Sequence, residues 1–118
     1  MSYDISLLDP VTKKVIEFDF IHQIRGGTYR VGGTNEAHLN ATYNYSKYYY
    51  KLFGEEGIRA LYGRTGADCI SMLEGAIAKL KDDVNEDYWK ATEGNAKQAL
   101  CGLLAFAKLR PDGIFQGD

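Results

Sequence analysis

The chain has 118 residues, of which 45% are hydrophobic and 25% charged, and its formal net charge is −2. This length fits one domain over residues 1–118, and the composition is that of a globular protein. The slight acidic excess argues against a nucleic-acid partner, because such proteins usually carry a basic excess. No run approaches the roughly 20 apolar residues that span a bilayer, and the first residues lack signal-peptide features. We therefore expect a cytoplasmic protein without a membrane partner.

Two short segments rich in β-branched and aromatic residues open the chain, at residues 4–8 and 15–20. An Asp-Pro pair stands between them where a turn favours it, so the pattern predicts an N-terminal β-hairpin. In the second segment every other residue is apolar, which predicts one buried face. That face consists of Ile16, Phe18 and Phe20.

Two Gly-Gly-Thr triplets follow, at residues 26–28 and 32–34. Glycine pairs favour tight turns or a loop that grips a ligand. Exposed backbone N–H groups, with Thr28 and the charges of Arg25 and Arg30, could hold an anion there. A plain hairpin connection is the alternative, since the spacing is not that of a known nucleotide-binding loop.

Apolar and polar residues alternate from Glu36 to Tyr45, which favours a strand, although a helix is the rival interpretation. A short helix is then predicted from Ser46, as the N-cap, to Phe53, closed by Gly54. The polar face of the strand holds short side chains that both donate and accept hydrogen bonds, as a polar ligand would require. An ordinary solvated face is the alternative for these residues, which are His38, Asn40, Thr42 and Asn44.

Five of the nine tyrosines lie within residues 43–50. Tyrosine buries apolar area while keeping a polar tip, and it is enriched at interfaces. Three consecutive tyrosines cannot all face one core, so the pattern predicts self-association into a homo-oligomer. The predicted interface consists of Tyr45, Tyr48, Tyr49 and Tyr50.

The C-terminal half predicts two main helices. Thr65 to Asp68 has the spacing of a capping box, and the periodic residues behind it predict a helix ending near Lys81. An acidic linker follows at residues 82–87, with Trp89 as a core anchor. The last helix is predicted over about Glu93–Leu109, followed by a short loose tail. The fold class is therefore α+β: the hairpin and a further strand form a small antiparallel sheet, packed by these helices.

The inventory of catalytic and metal-binding groups is small. Cys69 and Cys101 are predicted to be buried free thiols, and neither has a second ligand pair nearby, so no metal or other cofactor is expected. A Cys69–His38 nucleophilic dyad can be imagined, but no local pattern supports it. The sequence therefore predicts a protein that is not an enzyme.

Several stretches resemble a group of short proteins of bacterial, prophage and other mobile-element genomes, for which no activity is established. They are Arg25-Gly-Gly-Thr, Leu39–Ser46 with its Asn-x-Thr-Tyr-Asn core, Asp87–Ala96 and the ending Leu109–Gly113. No functional residue carries over from this resemblance. It implies a phage or mobile-element origin and a place in the host-cell cytoplasm, where such small proteins often sequester a host signal or block a host protein.

The leading hypothesis is a non-catalytic binding protein whose oligomer sequesters a polar, anionic small ligand, such as a signalling nucleotide. The alternative is a protein–protein interaction module that blocks a host factor through its tyrosines and acidic linker. The ligand hypothesis draws on polar and basic residues along the whole chain. They are Arg25, Thr28, Arg30, His38, Asn40, Thr42, Asn44, Arg64, Asn95 and Arg110.

Overall fold

The computed structural model describes residues 1–22 and 33–118, and it confirms the predicted α+β fold class. The strands are Ser2–Leu8 (β1), Glu17–His22 (β2), Thr34–Glu36 (β3), His38–Thr42 (β4) and Ile114–Gly117 (β5). The α-helices are Ser46–Phe53 (α1), Gly66–Ala78 (α2) and Glu93–Leu109 (α3). Two 3₁₀ turns, Tyr43–Tyr45 and Gly57–Leu61, flank α1.

β1 is the central strand of a three-stranded antiparallel sheet with the order β4-β1-β5, and β2 pairs with β3 in a second, two-stranded sheet. The two predicted N-terminal strands are present, but they meet each other only at the Leu8–Val15 bridge. The reason lies in Ala37, whose N–H donates to Ile16 O and whose carbonyl accepts from Leu7 N. The chain from β3 to β4 is thereby shared between the two arms: β1 pairs with β4 in regular register, and β2 pairs with β3 through two residue pairs separated by a register shift.

The predicted loose tail is wrong, because β5 completes the sheet. Leu7 pairs with Phe115, and Phe115 is fully buried. Burial of a large apolar side chain is worth about 1.5–3 kcal/mol, and an open edge of β1 is closed at the same time. These two gains order the tail.

One face of the three-stranded sheet packs against α3, and α2 packs on α3 in turn. Glycine at position 102 permits the close approach, since a Cβ there would lie 3.1 Å from Leu39 Cδ1. The predicted buried face of residues 15–20 holds for Ile16, and Phe18 lies half-buried with its ring 5.7 Å from that of Phe106. It is wrong for Phe20, which stacks on Phe18 beyond the edge of the core and is 44% exposed.

The strand reading of residues 36–45 is correct up to Thr42, where the chain turns into a 3₁₀ helix. The Thr42 hydroxyl accepts from Asn44 N at 3.2 Å and so caps this turn. Ser46 as N-cap is wrong: its backbone is already helical, and its Oγ lies 2.7 Å from the hydroxyl oxygen of Tyr3. Gly54 closes α1 with a φ of 90°, as the sequence predicts.

The two long helices begin where the sequence predicts. Thr65 Oγ1 accepts from Asp68 N at 3.1 Å at the start of α2, and Thr92 Oγ1 accepts from Asn95 N at 3.0 Å at the start of α3. α2 ends at Ala78, earlier than predicted, whereas α3 has the predicted bounds. The segment between them, residues 82–92, contains no α-helix and no strand and is called the strap below.

Candidate functional site

The outer face of the three-stranded sheet carries the polar row that the sequence predicts as a ligand surface. Asn40 is buried, and its amide donates to Asp4 Oδ1 at 2.6 Å and to Ser2 Oγ at 2.9 Å. His38 Nδ1 lies 2.9 Å from Ser6 Oγ, and His38 Nε2 lies 3.7 Å from Asp4 Oδ1. The side chains of this row are thus bound to β1.

Thr42 and Asn44, at the end of the row, form hydrogen bonds with the strap. The Thr42 N–H donates to the Tyr88 hydroxyl at 2.5 Å, and the Asn44 amide donates to Trp89 O at 2.8 Å. Thr42 is almost wholly buried, and its hydroxyl is used by the turn that follows. Thr42 and Asn44 therefore have structural roles, whereas the sequence predicts that they bind a ligand.

Asn95, another predicted ligand residue, supports the strap from below. It is 3% exposed, and its amide donates to Asp87 O at 3.1 Å and to Lys90 O at 3.0 Å. Its carbonyl accepts from Asn85 N at 2.9 Å. All these partners are backbone groups of the strap, so Asn95 takes the place of the secondary structure that the strap lacks.

The N-terminus of α3 is likewise occupied from within. Gly94 N donates to Asp83 Oδ1 at 2.9 Å, so a carboxylate of the strap already sits where an anion would bind. A Cβ at position 94 would lie 2.5 Å from Val84 N, and glycine is therefore required for this close contact.

The four tyrosines of the predicted interface, called the tyrosine cluster, face mainly inward, which corrects their assignment. They are Tyr45, Tyr48, Tyr49 and Tyr50. Tyr45 and Tyr49 are fully buried within the single chain, and their hydroxyls donate to Tyr88 O and Ala96 O respectively. Burial raises the pKa of Tyr45 to about 12 and that of Tyr49 well above its usual range. These two side chains cannot reach a second protein.

The other two members of the cluster lie closer to the surface. Tyr48 is half-buried and donates to Ala91 O at 3.0 Å. Tyr50 is 45% exposed and remains available to a partner.

The predicted basic residues do not gather around the polar row. Arg110 donates to both carboxylate oxygens of Asp112 at 2.9 Å and to Asp9 Oδ2 at 3.3 Å. Arg64 is exposed and donates to Ala60 O at 3.0 Å. Within the described residues neither arginine contacts the row. Arg25, Thr28 and Arg30 lie outside the described residues.

The sequence predicts that Trp89 and Cys101 are buried, and both predictions are wrong. Trp89 is not a core anchor: it is 51% exposed, because its backbone is held by Asn44 while its ring lies against Tyr88 with centroids 5.0 Å apart. Cys101 is exposed on α3, whereas Cys69 is buried as predicted.

Cys69 and His38 are engaged with other partners. The Cys69 thiol donates to Leu61 O at 3.9 Å, and burial raises its pKa to about 11. A nucleophilic cysteine requires the opposite shift of its pKa. His38 binds Ser6 on the outer face of the sheet, so the dyad is not assembled.

A groove beside α1, to which the sequence alone assigned no role, gathers three basic groups. One wall is α1, where Lys47 and Lys51 lie one turn apart and so share a face of the helix. Tyr48 and Leu52 have the same spacing and form the adjacent stripe on this wall. α1 therefore offers two cations beside an aromatic ring and an aliphatic side chain. We call the site the lysine groove.

The opposite wall is built where α2 ends and α3 begins. It consists of Lys79, Leu80 and Glu93, and the groove between the walls has a volume of about 550 Å³. Small-molecule sites in proteins commonly span roughly 300–1,000 Å³ and combine an apolar lining with a few polar groups. The lysine groove meets both criteria.

The groove lysines form no ion pair, a property that they share with Lys13, Lys14, Lys81 and Lys90 among the described residues. Lys97 pairs with Asp82 and Lys108 pairs with Glu74, but within residues 1–22 and 33–118 the three groove lysines form no ion pair. The Lys47 ammonium instead lies 5.0 Å from the centre of the Tyr48 ring. Three cations thus face one carboxylate in a chain whose net charge is negative.

The sequence contains a pattern that indicates one wall of the lysine groove, the wall formed by α1. Lysines four positions apart, next to a Tyr–Leu pair at the same spacing, predict a basic and apolar helix face once the segment is recognised as a helix. The run of tyrosines masked that signal. The other wall has none, because Lys79 and Glu93 are brought together only by the packing of α2 against α3.

Comparison with known proteins adds no family to this description. No family model, no curated protein and no solved structure matches the chain. Over residues 1–22 and 33–118, no helix is long and apolar enough to cross a bilayer. The chemistry of the lysine groove is therefore the basis for the functional inference.

Proposed function

We propose that this protein is a non-catalytic binding protein that sequesters a small anionic ligand, such as a signalling nucleotide, in the lysine groove. The proposal rests on one observation: among the residues that the structure describes, three lysines that form no ion pair line a groove that also presents an aromatic ring. In this role Lys47, Lys51 and Lys79 take the place of the described residues first expected to bind the ligand. The assignments at positions 25, 28 and 30, which lie outside the described residues, stay predictions.

The arrangement of the lysines favours an anion on energetic grounds. Like charges four positions apart on a helix repel and cost about 0.2–0.5 kcal/mol. Lys47 and Lys51 have this spacing, and no described carboxylate relieves the repulsion. A phosphate placed between them would turn the repulsion into two attractions, and lysine binds phosphate as a point charge.

The rest of the lining favours a ligand with a flat apolar part. Tyr48 has its hydroxyl fixed to Ala91 O, so its ring is held in place beside the lysines. Leu52 and Leu80 supply the aliphatic floor. Stacking of a base on an aromatic ring is worth about 1–3 kcal/mol, which suits a nucleotide better than an inorganic anion.

The proposed setting is the cytoplasm of a host cell, with a phage or mobile element as the source. It follows from the resemblance of the Leu39–Ser46 core to proteins of such genomes. In that setting a binder without turnover acts by lowering the free concentration of a host signal. Self-association is part of the same proposal, with Tyr50 as the exposed tyrosine that could mediate it.

The test is a panel of nucleotides scored by thermal shift and isothermal titration calorimetry. A true ligand at one hundred times its Kd should add about 2.7 kcal/mol to the free energy of unfolding. The double variant Lys47→Gln/Lys51→Gln should lose this shift while remaining folded.

The matched control is Lys13→Gln/Lys14→Gln, which removes the same charge from exposed lysines lining a different concavity. It should keep the shift. A panel without any shift, or equal loss in both double variants, would reject the proposal.

The alternative function, a module that blocks a host protein, is favoured by one feature of the strap. Half-exposed Trp89 stands on a segment that is rigidly bonded and carries four acidic residues before the tryptophan, at positions 82, 83, 86 and 87. Exposed tryptophan is a common anchor of protein interfaces. Affinity capture from the native host with the wild type and with Trp89→Ser tests it: a stoichiometric protein that only the wild type retains would support this function.

A further inference from the structure

We infer that the lysine groove selects a guanine base through the Glu93 carboxylate, an inference that rests on the proposed function. Glu93 is the one carboxylate among the described residues that line the groove. A negative charge in an anion site opposes binding unless the ligand gives it hydrogen-bond donors. The presence of Glu93 therefore restricts which anion fits.

The Glu93 carboxylate is held in position. Its Oε1 accepts from Lys81 N at 3.3 Å, which fixes the side chain across the gap between α2 and α3. Glu93 is also the first residue of α3, where a negative charge is favourable. The carboxylate thus stays on the wall opposite α1 and forms no ion pair with the groove lysines.

A carboxylate only accepts hydrogen bonds, so it discriminates among bases by the donors on their edges. Guanine presents two adjacent donors, the N1–H and the N2 amino group. Adenine offers one amino group beside a ring-nitrogen acceptor, and cytosine has the same pattern. Uracil offers one N–H between two carbonyl oxygens. Guanine alone places two donors side by side and no acceptor against the carboxylate.

The other groups that line the groove, Tyr48 and the lysines of α1, suit the ring face and the phosphates of a guanine nucleotide. The ring of Tyr48 lines the groove with the Lys47 ammonium 5.0 Å from its centre, and the lysines of α1 are available for phosphate oxygens. The ligand class is therefore a guanine nucleotide, bound by its base edge at Glu93 and by its phosphates at Lys47 and Lys51.

The experiment measures Kd by calorimetry for GDP, ADP, CDP, UDP and inorganic pyrophosphate. Wild type should bind GDP about 10- to 100-fold more tightly than the other nucleotides, the range expected for one bidentate base contact. Glu93→Gln keeps the side-chain length and one acceptor for Lys81 N, but it faces guanine with a donor. It should lose the GDP preference and bind pyrophosphate as tightly as wild type or more tightly.

Glu17→Gln is the control, since it removes the same charge from an exposed residue of β2 outside the groove. It should leave both the preference and the affinity unchanged. Equal Kd values for the four nucleotides, or a GDP preference that persists in Glu93→Gln, would overturn the inference while leaving the proposed function standing. No binding of any compound, pyrophosphate included, would overturn both.

Discussion

The polar row on the outer face of the sheet and the lysine groove differ in where their polar groups find partners. In the row, Asn40 and His38 are bound to side chains of β1, and Thr42 and Asn44 hold the strap. In the groove, the lysines have no described carboxylate partner. A side chain already satisfied within the chain gains little from a ligand, because binding would replace one hydrogen bond by another. Whether a polar side chain already has a partner within the chain, more than its polarity, therefore distinguishes a ligand-binding residue from a structural one.

The largest expected effect is a loss of stability at alkaline pH, caused by ionisation of the buried tyrosine hydroxyls. Burial raises the pKa of Tyr45 to about 12, and it also raises the pKa of Tyr49 and Tyr88. Unfolded tyrosine ionises near a pKa of about 10, so the native state holds more protons above that pH. The stability that these groups provide is fully present below about pH 10 and is lost as the pH rises towards 12. We expect cooperative alkaline unfolding in this window.

Urea unfolding at pH 8, 9, 10 and 11 measures this loss. Tyr45→Phe removes one of the titrating groups, so its stability should fall less steeply between pH 10 and 11. A free energy of unfolding that stays constant up to pH 11 would show that the cluster is open to water, and the contrast with the groove would disappear.

A smaller effect is expected from Asn95→Ala. The substitution leaves Asn85 N–H without its partner, and it removes one of the two hydrogen bonds that Asp87 O and Lys90 O each accept, at a buried position. We expect the free energy of unfolding to fall by about 2 kcal/mol, because an unsatisfied buried polar group is costly. Asn44→Ala, which removes one bond from an exposed residue, is the control and should cost about 1 kcal/mol or less. Chemical denaturation compares the two variants, and equal losses would contradict the supporting role of Asn95.

The smallest effect on stability is expected in the groove. Lys47→Gln/Lys51→Gln should change the free energy of unfolding by less than about 0.5 kcal/mol, or raise it slightly, because a repulsion is removed and no ion pair is broken. Denaturation in low salt is the measurement. A clear loss of stability would mean that these lysines have structural partners, as the polar row does.

The local patterns predicted much of the fold but little of the site. Thr65 and Thr92 mark the starts of α2 and α3, and Gly54 marks the end of α1, because caps and a positive φ depend on the nearby residues alone. The alternation over residues 36–42 predicts β4 and its two faces. The same alternation could not tell that the polar face is covered by hydrogen bonds to β1, since Asp4 and Asn40 are 36 positions apart.

The sequence by itself determined the α+β class, the short helix α1, the two main helices α2 and α3, and the buried Cys69. Only the tertiary structure decided that β5 closes the sheet, that Tyr45 and Tyr49 point inward, and that Lys79 and Glu93 face the lysines of α1. The physical reason is the separation along the chain of the residues that interact. Capping and periodicity arise from neighbours within about one turn, whereas burial and charge partners depend on residues that the packed core brings together from distant parts of the chain.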